Sequence, residues 1–139
     1  MHLEYADTTC EFYKAQPEFG CAYTSSVYTD GYHYRDRTIG HAIDGDSQQF
    51  ALGAMLVNGD GSSWELAAQT ARVNRGSVNP VHSVAPFATE IRSADVYYRR
   101  ILLGGDLRLG VGFEDRHQIG SADDGGELRG FLQWANRFD

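Results

Sequence analysis

At 139 residues the chain holds one ordinary domain at most. Its formal charge is −7 and it has a single lysine, Lys14, which excludes a general nucleic-acid surface, because phosphate binding needs clustered Lys and Arg. Glycine is high at 16 and tyrosine at 8, proline is low at 3, and no apolar run is long enough for a transmembrane helix, so composition favours strands and tight turns.

In chain order, residues 2–8 form the first candidate strand, with Leu3 and Tyr5 opposite Glu4. A long connection follows at about 10–49. It carries both cysteines, Cys10 and Cys21. Neither belongs to a Cys-x-x-Cys pair, and no histidine stands at zinc-ligand spacing. A local disulfide loop between them, closed in an oxidising compartment, is the expectation, over two unrelated free thiols. Residues 50–57 are apolar on both faces, with small side chains on one. Asn58-Gly59-Asp60-Gly61 is a tight turn, since Asn, Asp and Gly supply the positive φ such turns need.

Residues 62–74 alternate: Trp64, Leu66, Ala68 and Thr70 oppose Glu65, Ala67, Gln69 and Ala71. A second long connection spans 75–91. Residues 93–103 place Ala94, Val96, Tyr98 and Leu102 on one side, interrupted by Arg100. Gly104-Gly105-Asp106 is the second tight turn. Residues 106–115 set Leu107, Leu109, Val111 and Phe113 against Arg108, Gly110, Gly112 and Glu114. A third long connection is expected at 116–126. The last strand, 127–138, places Leu132, Trp134 and Phe138 opposite Phe131, Gln133 and Arg137. No segment holds a capped apolar pattern of helical period.

The predicted connections alternate long, short, long, short, long. Membrane barrels sort their connections this way, with short periplasmic turns and long external loops. A soluble sandwich has no such reason. The sequence therefore predicts an all-β fold of antiparallel up-and-down strands from a transmembrane outer-membrane β-barrel. Residues 1–139 form a single segment whose main external loop is about 10–49. About six strands are too few to close in lipid, where open edges leave backbone groups unpaired. Met1 is followed at once by His-Leu-Glu-Tyr, with neither a basic start nor an apolar core. Both observations predict that N-terminal strands of the same barrel are missing from this chain.

Several stretches resemble the capsule assembly Wzi family. They are Tyr5-Ala6-Asp7-Thr8-Thr9-Cys10, Cys21-Ala22-Tyr23, Tyr28-Thr29-Asp30-Gly31-Tyr32-His33-Tyr34-Arg35, Ile39-Gly40-His41 and Asp44-Gly45-Asp46-Ser47. Leu56-Val57-Asn58-Gly59-Asp60-Gly61-Ser62-Ser63-Trp64, Asn74-Arg75-Gly76 and Leu109-Gly110-Val111-Gly112-Phe113-Glu114 resemble its strand-turn segments. The matches run in order over nearly the whole chain. The resemblance implies a Gram-negative outer-membrane β-barrel that acts as a lectin, holding capsular or related exopolysaccharide, with no catalysis. Its partners would be that polysaccharide, outer-membrane lipid and the barrel assembly machinery.

The 10–49 loop offers the candidate sugar-binding residues Tyr28, Tyr32, Tyr34, Arg35, His41, Asp44 and Asp46. Aromatic rings stack on the C–H faces of pyranoses, and Arg, Asp and His hydrogen-bond vicinal hydroxyls or uronic carboxylates. The alternative is that these side chains pack the loop against itself. Asp44-x-Asp46 also invites a calcium or glycosidase reading, but the twelve-residue calcium loop ending in Glu is absent and nothing in the sequence fixes the carboxylate separation. No metal or cofactor is expected. A small soluble β-sandwich or barrel that binds a ligand is the alternative fold and function. An outer-membrane hydrolase is a further alternative without residues to support it.

Overall fold

The computed structural model describes residues 1–23, 27, 33–34, 37–38, 40–76, 82–121 and 124–136, with backbone alone for 33–34, 37–38 and 124. Eight strands lie in these segments: β1 (His2–Asp7), β2 (His33–Tyr34), β3 (Arg37–Thr38), β4 (Gln48–Val57), β5 (Ser63–Val73), β6 (Thr89–Leu102), β7 (Gly105–Gln118) and β8 (Asp124–Asn136). Six of them form one antiparallel sheet in the order β1-β4-β5-β6-β7-β8, and β2 and β3 pair as a separate small hairpin. β1 and β8 are the two open edges of the large sheet.

The register defines two faces. Leu3, Leu52, Ala68, Ala94, Phe113 and Leu128 stand side by side across all six strands. The next rows on that face are Ala54–Leu66–Val96–Val111–Gly130 and Leu56–Trp64–Tyr98–Leu109–Leu132. Most of these side chains are open to the surroundings, including Leu56, Trp64, Leu66, Val96, Val111, Phe113, Leu128 and Leu132. The opposite face is mostly polar and small, with exceptions such as Met55, Tyr97 and Phe131. It carries Glu65, Gln69, Asp95, Arg99, Arg108, Glu114, Arg129 and Gln133, interleaved with Ala51, Gly53, Ala67, Gly110 and Gly112.

This distribution decides between the two expected folds. Among the described residues the buried apolar cluster is Ala71, Val73, Ala85 and Ile91, with Val84 against it. Among the described residues no second sheet covers the apolar face. Each large apolar side chain moved out of water gains about 1.5–3 kcal/mol. A sheet that leaves a whole apolar face open is therefore built for hydrocarbon rather than water. The aromatic residues follow the same logic. Trp64 and Tyr98 touch, with ring centroids 4.6 Å apart, at the hairpin end of the apolar face. Nearby, the Trp134 indole N–H donates to the Leu102 carbonyl at 3.2 Å.

The polar face is tied by ion pairs across strands. Arg99 donates to both oxygens of Asp106, and Arg129 pairs with Asp95 at 3.1 Å. Bare backbone at two glycines lets neighbours lie flat on β7. A Cβ on Gly110 would fall 2.4 Å from the Phe131 ring, and one on Gly112 would fall 2.1 Å from the Asp95 carboxylate.

Both tight hairpins close at the same end of the sheet, and β8 finishes there too. The second turn is Leu103-Gly104, with both φ values positive, and Gly105 and Asp106 already belong to β7. The three other connections gather at the far end. Two are long, spanning 8–47 and 74–88. The third is shorter than the expected 116–126 span, because β7 and β8 continue pairing up to His117 and Asp124 and leave only 119–123. Period-two alternation fades in that stretch because Arg116, His117 and Gln118 are polar on both faces, so the sequence hid a strand that the ladder supports. Phe138, the expected terminal aromatic, lies outside the described residues.

Candidate functional site

At the end opposite the hairpins, the two long connections tie into a buried polar knot. Thr8 begins it, directly after β1. Its N–H donates to the Ser47 carbonyl at 2.8 Å, and its hydroxyl donates to the Asp44 carbonyl at 2.6 Å. The Ser47 N–H returns to that hydroxyl at 3.0 Å. Arg75 N–H reaches the Asp46 carbonyl at 2.9 Å, and Asn74 N–H reaches the Ser47 hydroxyl at 3.2 Å. Asp44, Asp46 and Asn74 have φ values of 62°, 53° and 51°. Asp and Asn suit these positions because their short polar side chains make the left-handed region tolerable.

His82 joins the second long connection to the first. Its Nδ1 accepts N–H bonds from Val84 at 3.2 Å and Ala85 at 3.3 Å. Its Nε2 lies 3.0 Å from the Gly45 carbonyl and 3.2 Å from the Ser47 hydroxyl. With two donors facing Nδ1, the ring fits as the tautomer that carries its hydrogen on Nε2. The Ser47–His82 contact is therefore not a catalytic pair. Catalysis needs a carboxylate on Nδ1 to orient the imidazole and an exposed hydroxyl to attack, whereas Nδ1 here accepts from backbone and Ser47 is fully buried.

The seven candidate sugar-binding residues divide by position. Tyr28, Tyr32 and Arg35 lie outside the described residues. Tyr34 sits in the β2–β3 hairpin, in register with Arg37. His41 is partly exposed, and its Nε2 stands 3.4 Å from a Glu4 carboxylate oxygen. Asp44 and Asp46 are only 3 % and 4 % exposed. Asp44 accepts N–H bonds from Gly45 at 2.7 Å and Ser83 at 2.8 Å, and Asp46 accepts one from Gly20 at 2.8 Å. Burial raises the Asp46 carboxyl above its ordinary range, with the neighbouring Asp44 carboxylate adding to it, against the Gly20 hydrogen bond and the nearby Arg75 that favour its charge. These two carboxylates hold loop backbone. Neither is placed to protonate a leaving group in solvent, and among the described residues no group of three or more His, Cys, Asp or Glu could hold a metal ion.

Cys10 and Cys21 are joined, with Cα atoms 6.1 Å apart. Within the ring they close, Cys10 and Glu18 form a β-bridge. This small ring displays aromatics that the sequence reading passed over. Phe12 and Tyr13 meet edge to face, with centroids 5.9 Å apart, and both are exposed. Phe19 lies under the Arg75 guanidinium, 5.5 Å from it. The clue was available, since two cysteines bracketing three aromatics fix a short loop that cannot fold inward to hide them.

The arrangement is thus an aromatic and polar surface on a rigid base, at one end of a half-lipid, half-polar sheet. No curated protein matches the chain. A solved structure from Escherichia coli does: Wzi, described as an outer-membrane protein involved in group 1 capsule assembly and a carbohydrate-binding β-barrel. The likeness has a TM-score of 0.63 at 22 % identity and covers 94 % of this chain but 29 % of that one. The sheet described above is accordingly part of an outer-membrane β-barrel. The family model for capsule assembly protein Wzi matches residues 1–126, which take in five of the six strands of the sheet and both connections of the knot, and the chain belongs to that family.

Proposed function

We propose that the protein binds capsular or other extracellular polysaccharide and retains it at the cell surface through its long connections, without catalysis. The observation that carries this reading is the locked base of the 8–47 connection. A disulfide and a buried Asp–Ser–His knot hold its two ends. Preorganisation of this kind removes an ordering cost that a free loop would meet on binding sugar. In this reading Tyr28, Tyr32, Tyr34, Arg35 and His41 contact the glycan, and the exposed Phe12 and Tyr13 extend the surface. Asp44 and Asp46 act one step back, by fixing the loop. Further strands of the same barrel pair with the open edges of β1 and β8, and the barrel assembly machinery is the partner that inserts it.

Tyr32→Ala and Tyr34→Ala, made singly and with Phe12→Ala/Tyr13→Ala, test the assignment. Loss of one stacking ring should weaken sugar contact by about 1 kcal/mol, several-fold in retained polysaccharide, with barrel abundance unchanged. Retention equal to wild type in all of these variants would refute the role of the loop aromatics.

A further inference from the structure

Above the apolar band, on the same outward face, the rows change character. The row Ala68–Ala94–Phe113 is followed toward the long connections by Thr70–Arg92–Asp115, and then by Arg72–Glu90–His117. Glu90 sits between two arginines. Its carboxylate takes Arg72 Nε at 2.8 Å and Arg92 Nη2 at 3.4 Å. The arginine side chains are 61 % and 67 % exposed, whereas that of Glu90 is 22 % exposed. One carboxylate thus steadies two guanidinium groups from the side while their outer edges stay in the surroundings. Beside them lies a cleft of about 200 Å³ between Glu90, Arg92, Asp115 and His117.

We propose that this patch holds the phosphate of a lipid headgroup in the outer leaflet, in particular a phosphorylated glycolipid. Three observations lead there. The face points away from the polar side of the sheet, so strands that complete a barrel do not cover it. Its register places it immediately beyond the apolar rows, at headgroup height, on the side of the long connections. Its paired guanidinium groups suit phosphate oxygens, which they can bind through two parallel N–H bonds. The inference is separate from the polysaccharide reading, because it concerns the lipid-facing side of the sheet.

The test uses the protein extracted from outer membranes in mild detergent. Wild type and Arg72→Gln/Arg92→Gln are titrated with lipid A, with lipid A stripped of its phosphates, with inorganic phosphate and with an acidic polysaccharide, and binding is followed by native mass spectrometry and by the melting temperature. Phosphorylated lipid A should bind wild type at least about tenfold more tightly than the stripped form, and the double variant should lose that preference. Inorganic phosphate alone should give no shift. Equal binding of the two lipids by wild type overturns the proposal, as does undiminished preference in the variant or displacement of the lipid by polysaccharide. If the glutamine variant does not assemble, Arg72→Lys/Arg92→Lys keeps the charge and removes the planar fork, and an unchanged preference there also counts against it.

Discussion

Asp46 shows how a residue's role turns on its surroundings. In the sequence it is half of an Asp-x-Asp pair that invites sugar or calcium. In the fold it is a buried acceptor for Gly20 N–H. Its raised carboxyl has a definite pH consequence. A group whose folded value exceeds its unfolded one contributes stability that is fully present below the ordinary carboxylate range and is lost as pH rises through the folded value. As pH rises out of the ordinary carboxylate range the knot should therefore loosen, and Asp46→Asn should flatten this dependence. Proteolysis rates within 8–47 measure it, and parallel profiles in the two proteins would contradict the assignment. None of this was legible beforehand, because it depends on Gly20, His82 and Arg75, which only the folded chain brings near. His82 was one of five scattered histidines in the sequence, and its partners lie 35 and 37 positions away.

At the scale of the element, strands were readable where one face is apolar and the other polar. The expected faces of 62–74, 93–103 and 106–115 are those of β5, β6 and β7, because a period of two survives any small error in the ends. Ends were harder, as the extension of β7 to Gln118 shows. The β6–β7 turn carries a correctable flaw. Leu103 has φ of 53° and is 86 % exposed, so it takes a strained backbone without gaining contacts. A turn with two positive φ values favours Asn-Gly. Leu103→Asn should stabilise the hairpin by about 0.5–1 kcal/mol, seen as a higher urea midpoint in lipid. A lower midpoint would mean that Leu103 makes contacts at the membrane surface that outweigh the strain.

For the whole molecule, the main distinction is between two faces of one sheet. Val111 is at the middle of the apolar rows, whereas Gln133 is on the polar side. Val111→Arg should cost about 2–4 kcal/mol at the bilayer midplane, and Gln133→Arg should be nearly neutral. Unfolding in bilayers compares them directly, and equal costs would remove the assignment of lipid to the Val111 face. The overall architecture was legible because the two long connections fall at one end, the tight turns at the other, and most strands alternate along most of their length. The long-range knot was not, since hydrogen bonds between distant connections leave no periodic trace in sequence.

The two open edges carry a rule of parity. β1 runs from the hairpin end toward the long connections, and β8 runs back. Whatever pairs with β1 must descend, and whatever pairs with β8 must ascend, if every contact is to stay antiparallel. A set of up-and-down strands that begins by ascending and ends by descending has an even number of members. A barrel closed in this way is therefore even-numbered, and an extension by one or three strands would force a parallel seam.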